Sequence, residues 1–387
     1  MYRIDDEQRR IRLGRRHLLV PSDRATSVVA VADAVVALHA TDAATVFLSA
    51  CARLTAPDVG AVERALYEDV SLVRLLSMRN TLFTMSRAVA PAVDTSNARR
   101  VAAKERQRLL KQLREDGNGL DERWLADVEQ QTIAALAPRG RATGSELSAA
   151  VPALRTKITV FPGTKQETVQ GVASRVIRVL AADGRIRRDL PRGSWTSSQF
   201  RWTAAEPWPA SDPAQARVEV ARRWLRSYGP ATEGDLKWWT GWGVRETRDA
   251  LAAIAPEEVL LGSGAVGWVV PGDLAVEPPP EPWAALLPAL DPSAMGWADR
   301  TFQLPSNHRA ALFDRSGNIG PTVWWNGGIV GGWAQSTNGE LVWRLLSDVG
   351  KEASDLIGSE ASRMSAWMGD ARITPRFRTP LERELTA

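Results

Sequence analysis

Three polar side chains stand within four positions of an otherwise apolar stretch: His39, Thr41 and Asp42. A neutral imidazole can take or give a proton near neutral pH, and hydroxyl and carboxylate oxygens can hold a water molecule beside it. The stretch therefore has the groups that a water-activating site needs. A structural interpretation is equally open, because the oxygens of Thr41 and Asp42 could cap a helix that begins at Ala43 and so satisfy its free N–H groups.

The elements around this stretch have the order of a winged helix, a compact DNA-binding module of three helices and a hairpin. Apolar spacing predicts helices over 26–37 and 43–53 and another from 57 to 67, and β-branched and apolar runs predict strands over 70–76 and 81–85. A basic amphipathic helix over 8–19 precedes this unit, and a long basic helix over 88–115 follows it.

The same order is predicted twice more, without repetition of the residues themselves. The second unit has helices over 121–137, from 143 and over 168–182, then a hairpin of 185–189 and 199–203. Thr143 with Glu146 matches a capping box at the start of its middle helix. The third unit has helices over 214–228, from 232 and over 244–254, then a hairpin of 259–261 and 266–270.

Beyond the proline-rich linker at 277–282 the pattern changes to strands. Strands are predicted near 310–314, 321–326, 328–335 and 340–346, with hairpin turns at Asn326-Gly327 and Asn338-Gly339 and a helix near 350–368. We therefore predict an α+β fold of three tandem winged-helix domains (1–118, 119–208 and 209–275) followed by a small C-terminal β-barrel (283–387).

Composition excludes several classes of protein. One cysteine, Cys51, excludes intrachain disulfides and cysteine-rich metal sites, and its apolar neighbours predict a buried, inert thiol. No apolar run is long enough to span a bilayer and no signal region follows Met1, so we expect a cytoplasmic protein. No zinc motif, phosphate loop or dinucleotide fingerprint is present.

Arginine dominates the basic residues. The net charge is +4, and only six of the 49 basic residues are lysines. Arginine makes forked contacts with phosphates, although GC-rich coding would also favour it. Arg175 and Arg178 lie away from the core face of their helix, and Arg187 and Arg188 lie in the following wing; we predict that these four hold DNA phosphates. Arg79 and Asn80, near the tip of the first hairpin, could probe a DNA groove or form an ordinary surface turn.

Several strings resemble winged-helix DNA glycosylases of the AlkZ-like and YcaQ-like type, which repair alkylated purines and interstrand crosslinks. The strings span roughly residues 30–345 and are found at 38–42, 78–82, 228–232 with 238–241, 286–292 with 295–300, 313–323 and 330–333. The resemblance implies three winged helices and a β-barrel that cradle duplex DNA, and a monofunctional glycosylase that needs neither a metal nor an organic cofactor.

The resemblance also implies a catalytic site in the first unit, and there this chain departs from the pattern. The family carries Gln-x-Gln or Gln-x-Asp, whose side chains place a water against the sugar C1′. The corresponding residues here are His39-Ala40-Thr41, with Asp42 one position beyond. We therefore predict that His39, Thr41 and Asp42 set the water, in a protein that binds duplex DNA as a monomer. The alternatives are a non-catalytic DNA-binding or regulatory protein and a protein-interaction scaffold.

Overall fold

The computed structural model describes residues 1–116, 118–209 and 211–387 and has a mixed α+β fold. Its first elements are β1 (Tyr2–Ile4) and α1 (Asp6–Arg16). The helix α1 overlaps the helix predicted over 8–19 but begins and ends earlier in the sequence. The basic face of α1 holds the linker: Arg12 donates to the carbonyls of Asp273 and Ala275, and Arg16 pairs with the carboxylates of Asp273 and Glu277.

The first unit has the predicted helices and hairpin, with one added strand. Its elements are α2 (Val28–Ala34), β2 (Leu38–His39), α3 (Ala43–Arg53), α4 (Val59–Glu63), β3 (Leu72–Leu76) and β4 (Leu82–Ser86). A π-helical turn extends α4 to Glu68. The strands form an antiparallel sheet in the order β2-β4-β3. The sequence did not predict β2, because a two-residue strand has no periodicity of its own.

The long basic helix predicted over 88–115 is present in two pieces. They are α5 (Ala90–Val93) and α6 (Arg99–Glu115), joined by a π-helical turn. Leu109, Leu110 and Leu113 of α6 belong to the hydrophobic core of the second unit. The helix therefore connects the two units by packing as well as by sequence.

The second unit repeats the architecture of the first. It consists of α7 (Glu122–Leu136), β5 (Arg141–Thr143), α8 (Gly144–Ala150), β6 (Lys157–Val160), β7 (Thr168–Gly171), α9 (Ala173–Ala182), β8 (Ile186–Pro191) and β9 (Phe200–Ala204). The sheet order is again first strand, last strand, middle strand: β5-β9-β8. The predicted capping box of Thr143 and Glu146 is present. The β6–β7 hairpin was not predicted, and its second strand occupies residues predicted as the start of α9.

The third unit has the same order in a reduced form. Its elements are α10 (Pro213–Tyr228), α11 (Glu233–Thr240), α12 (Val244–Ile254), β10 (Glu257–Leu261) and β11 (Val266–Val269). A single antiparallel bridge from Ala231 to Trp268 takes the place of the first strand, and β1 extends the other edge by pairing in parallel with β10.

The C-terminal region contains β12 (Ala284–Leu287), α13 (Arg309–Leu312), β13 (Thr322–Trp325), β14 (Gly328–Gln335), β15 (Leu341–Leu345), α14 (Gly350–Met368) and α15 (Pro380–Leu385). The predicted strand at 310–314 is wrong: Arg309–Leu312, rich in the helix formers alanine and leucine, form a helical turn. The described strands make an open sheet in the order β12-β13-β14-β15, so the closed barrel is not confirmed.

Two sequence segments that carry the family resemblance, 228–241 and 295–300, contact each other where the third unit meets the C-terminal region. The carboxylate of Asp235, four residues after the Gly-Pro-Ala segment, accepts from the backbone N–H groups of Ala298 and Asp299 at 2.9 and 3.1 Å. The indole of Trp297 donates to the carbonyl of Tyr228 at 3.1 Å. A side chain at Gly296 would lie 2.3 Å from the Tyr228 ring. These strings therefore fix the third unit against the C-terminal region.

A fully buried ion pair connects the first unit to the same region. The guanidinium of Arg53, at the end of α3, donates to both carboxylate oxygens of Asp291, at 2.9 and 2.6 Å. Ser49 donates to the same carboxylate at 2.7 Å. Burial opposes the charged form of Asp291, but Arg53 and these hydrogen bonds hold its pKa below the ordinary value. The pair can stay ionised because every partner is in place.

We predict that Asp291→Ala lowers the free energy of unfolding by about 3–5 kcal/mol, because it leaves the Arg53 guanidinium buried without a counter-charge. Urea-induced unfolding of the full chain measures the effect. The matched control is Asp249→Ala, which breaks the exposed pair of Arg245 and Asp249 and should leave the unfolding midpoint almost unchanged. Equal shifts in the two variants would contradict the assignment.

Candidate nucleic-acid interface

The stretch that contains His39 runs from the edge of the first sheet to the start of α3. Leu38 and His39 pair with Thr84 and Phe83 of β4, and the N–H of Ala40 donates to the carbonyl of Leu82 at 2.9 Å. The chain then turns, and α3 begins. Backbone pairing with β4 on one side and the helix start on the other therefore fix the position of the stretch.

His39 is held as a neutral imidazole. It is 5 % exposed and packs edge-on against the Phe83 ring, with 5.3 Å between ring centroids. Burial, followed by the positive charge of Arg79, lowers the pKa of His39 to about 3. The N–H of Thr41 lies 3.5 Å from Nδ1, a contact that favours the tautomer with its hydrogen on Nε2. At neutral pH the ring can therefore donate one hydrogen bond without carrying a charge.

Asp42 has the contacts of a capping residue. Its Oδ1 accepts from the N–H of Ala44 at 3.2 Å, and its Oδ2 accepts from the N–H of Arg376 at 3.2 Å. It also lines a cavity of about 20 Å³, whose walls include Thr45 and Trp333. The two carboxylate oxygens therefore fix the backbone at two places, one at the start of α3 and one in the C-terminal segment. Thr41, between His39 and Asp42, is half-buried.

A large open cleft of about 1320 Å³ lies between the first hairpin and the second unit. Leu76 and Leu82 of the hairpin form part of one wall. Eight arginines and one carboxylate, Glu105, also line it; the arginines are Arg74, Arg108, Arg155, Arg175, Arg178, Arg187, Arg188 and Arg192. The cleft is therefore strongly positive.

Few of these arginines are neutralised by the protein. Among the residues that the structure describes, only Arg178 has a carboxylate within 4.0 Å: its Nε lies 2.5 Å from Glu105. Burial, and then the charges of other arginines including Arg74, lower the pKa of Arg188 to about 10. Its guanidinium lies over the Phe200 ring, 4.4 Å from the centroid. The cleft therefore has unbalanced positive charge in partly desolvated positions, where an anionic ligand gains most.

His39, Thr41 and Asp42 do not line the cleft, but the backbone of their stretch is hydrogen-bonded to one of its walls. Leu82, a residue of the cleft wall, accepts the hydrogen bond from Ala40. On the other side Arg376, whose backbone holds Asp42, is close enough for its charge to lower the pKa of Arg188. A nucleic acid bound along the cleft would thus pass the edge of the first sheet.

The structure brings four of the six predicted DNA-binding residues into the cleft: Arg175, Arg178, Arg187 and Arg188. Asn80 is exposed beside the cleft, where its side-chain amide lies 3.4 Å from Glu105. Arg79 is directed elsewhere, since its guanidinium lies 3.9 Å from the centroid of the Trp238 ring. The geometry thus separates two neighbouring residues that the sequence treated as one hairpin tip.

The other four cleft arginines were not among the predicted contacts. Arg108 lies in the predicted basic helix and Arg192 in the predicted wing turn, so both belong to elements that the sequence identified. Arg74 lies in β3, and Arg155 in a 3₁₀ turn after α8. Only the packing of the units shows that these arginines face a common space.

Comparisons with known proteins identify the family of the chain. The sequence profile of the family described as AlkZ-like, DNA glycosylase AlkZ-like, matches residues 32–367. The solved structure of Streptomyces sahachiroi DNA glycosylase AlkZ superposes with a TM-score of 0.71 at 21 % identity, over 97 % of this chain and 99 % of that one. A search of curated protein sequences gave no match. The profile match shows that the chain belongs to the AlkZ-like DNA glycosylase family, and base excision in DNA repair is the role that this membership supports.

Proposed function

We propose that this chain is a monofunctional DNA glycosylase that binds duplex DNA along the arginine-lined cleft and hydrolyses the N-glycosidic bond of alkylated purines or crosslinked bases. The observation that carries the proposal is the cleft itself, which eight arginines and one carboxylate line and whose wall is hydrogen-bonded to the stretch that contains His39. Phosphates would contact Arg175, Arg178, Arg187 and Arg188, and Asn80 would lie at the edge of the bound strand.

The shared strand order supports interpretation of the three units as winged-helix domains. In the first two, the short strand pairs with the last strand of the hairpin, as expected of that module; in the third, one bridge takes its place. None of the described helices is long and apolar enough to cross a membrane. We also propose that the chain acts on DNA as a monomer in the cytoplasm.

The proposed chemistry breaks the bond between C1′ and the base nitrogen, forms a bond from C1′ to a water oxygen and releases one proton of that water to the solvent. A purine alkylated at N7 already carries positive charge, so it leaves with the bonding electrons as a neutral base. The neutral imidazole of His39 would orient the water with the help of the Thr41 hydroxyl, and Asp42 would hold both by fixing the turn. Water is the only co-substrate, so the proposal requires no metal or organic cofactor.

A second candidate is a DNA-binding protein that has lost the chemistry. One observation favours it: both oxygens of Asp42 accept hydrogen bonds from backbone N–H groups, so its carboxylate has a sufficient structural role. The predictions below distinguish the two candidates.

We predict that His39→Ala lowers the single-turnover rate of base release by about 10²-fold, because it removes the hydrogen bond that orients the water. The substrate is a duplex with one N7-methylguanine, and the abasic product is counted after strand cleavage at the abasic site. His39→Gln keeps a hydrogen-bonding side chain at this position, the side-chain amide that the resembling glycosylases carry, and should retain more activity than His39→Ala. Release at the wild-type rate by His39→Ala would exclude the catalytic role.

Asp42 is tested by a pair of variants that separate capping from charge. Asparagine caps helices about as well as aspartate, whereas alanine does not. Asn has one acceptor oxygen, so Asp42→Asn can keep the cap on Ala44 but loses the contact with the N–H of Arg376. If Asp42 acts by fixing the turn, activity and thermal stability should fall together, moderately in Asp42→Asn and further in Asp42→Ala. Asp42→Asn with full stability but no base release would instead show that the carboxylate charge takes part in the reaction.

The cleft is tested by the salt dependence of DNA binding. Each phosphate contact contributes about 1 to the slope of log Kd against log salt concentration. We expect Arg187→Gln and Arg188→Gln together to reduce this slope by about 2, measured with an undamaged duplex. The matched control, Arg245→Gln, removes an exposed arginine of α12 that does not line the cleft and should leave the slope unchanged. A double variant with the wild-type slope would place DNA elsewhere.

A further inference from the structure

A second group of arginines lies outside the cleft and is organised around two aromatic rings. The guanidinium groups of Arg79 and Arg300 lie 3.9 and 4.8 Å from the centroid of the Trp238 ring. Those of Arg300 and Arg309 lie 5.8 and 4.4 Å from the centroid of the Phe313 ring. The five side chains thus form one continuous cluster, which we call the Trp238 cluster. It joins the tip of the first hairpin, α11 and the C-terminal region.

The Trp238 cluster has no counter-charge in contact among the residues that the structure describes. Among the described residues, no carboxylate oxygen lies within 4.0 Å of any of its three guanidinium groups. The carboxylates whose charge reaches Arg300 are those of Asp235 and Asp299. Both already accept hydrogen bonds from backbone N–H groups. These two acids lie outside ion-pair contact, so they offset the charge of the three arginines only in part.

The unbalanced charge is partly desolvated. Arg300 is 8 % exposed, and its Nε has no hydrogen-bond partner among the described residues. Burial, followed by the charge of Arg309, lowers the pKa of Arg300 to about 10. Burial, followed by the charge of Arg300, lowers the pKa of Arg79 to the same value. Stacking on aromatic rings offsets part of this cost, but an anion would offset more.

The cluster also acts on the candidate catalytic residue. The charge of Arg79 is the main electrostatic contribution, after burial, that lowers the pKa of His39. Positive charge develops on the sugar as a glycosidic bond breaks, so an uncompensated cation beside His39 would oppose the reaction. An anion bound at the cluster would cancel this field when the substrate is in place.

We infer that the Trp238 cluster is an anion site that binds one backbone phosphate of the DNA substrate, near the nucleotide that reaches His39. The inference rests on the proposed function, because DNA is the proposed substrate. The forked guanidinium groups match the oxygens of a phosphate. Arg300 is buried, Arg79 is half-buried and Arg309 is exposed to solvent. A strand can therefore approach from Arg309.

The test is a methylphosphonate scan, in which each phosphate near the lesion is replaced in turn by an uncharged linkage. For the wild-type chain one linkage should weaken binding more than its neighbours do. In Arg309→Gln the same linkage should cost less, with a coupling of at least about threefold in Kd. Arg309→Gln should also reduce the salt slope by about 1. Arg309 is exposed, so the variant should fold.

Controls separate this inference from the proposed function. Arg245→Gln should show the wild-type scan. Arg300→Lys keeps the charge but removes the fork, and should lose part of the coupling. A wild-type chain that binds DNA and releases the base, but shows no linkage coupled to Arg309 or Arg300, would overturn this inference alone. A wild-type chain that does not bind DNA would overturn both.

Discussion

The buried ion pair between Arg53 and Asp291 is the contact on which the position of the candidate site depends. It anchors the end of α3, a helix whose residues are all buried, and Asp42 caps the beginning of the same helix. Ser293 joins the network by accepting from Arg53, and its hydroxyl lies 2.8 Å from Nδ1 of His17. Burial and then the charge of Arg53 lower the pKa of His17 to about 3, so this ring stays neutral and adds no repulsion. The stretch at His39 is thus held from both ends of one helix.

The second organising principle is the unequal use of arginine. On α1, arginines pair with Asp273 and Glu277 and hold the linker in place. In the cleft and in the Trp238 cluster, arginines face open space or aromatic rings with few carboxylates among the described residues. Composition alone could not distinguish these uses. Unbalanced cations near the stretch that contains His39 are electrostatically unfavourable in the free protein. Two such groups of arginines therefore suit this protein to the binding of a polyanion.

Much of the architecture could be predicted from sequence because it depends on local patterns. Neighbouring residues determine the helical periodicity and the Thr143–Glu146 capping box. They also determine the Asn326-Gly327 turn, where both residues have positive φ. The strand predicted at 310–314 failed because a short apolar run fits either structure. The open C-terminal sheet could not be foreseen, since closure of a barrel depends on strand pairing over long distances.

The site was predictable only in part, for a similar reason. The four predicted arginines of α9 and β8 line the cleft because these neighbouring elements face the first hairpin together. The direction of Arg79 depends on Trp238, which lies far away in sequence, so no local pattern could separate it from Asn80. Likewise the capping interpretation of Asp42 was open from sequence, but its second contact with Arg376 required the folded C-terminal segment.

The most direct test of DNA binding along the cleft with the damaged nucleotide at His39 is a crystal structure of the chain bound to a duplex that carries a cationic azasugar in place of that nucleotide. We expect phosphates on Arg187 and Arg188, and the azasugar beside His39 with one ordered water between them. DNA bound on another face, or an azasugar that remains stacked in the duplex away from His39, would contradict it.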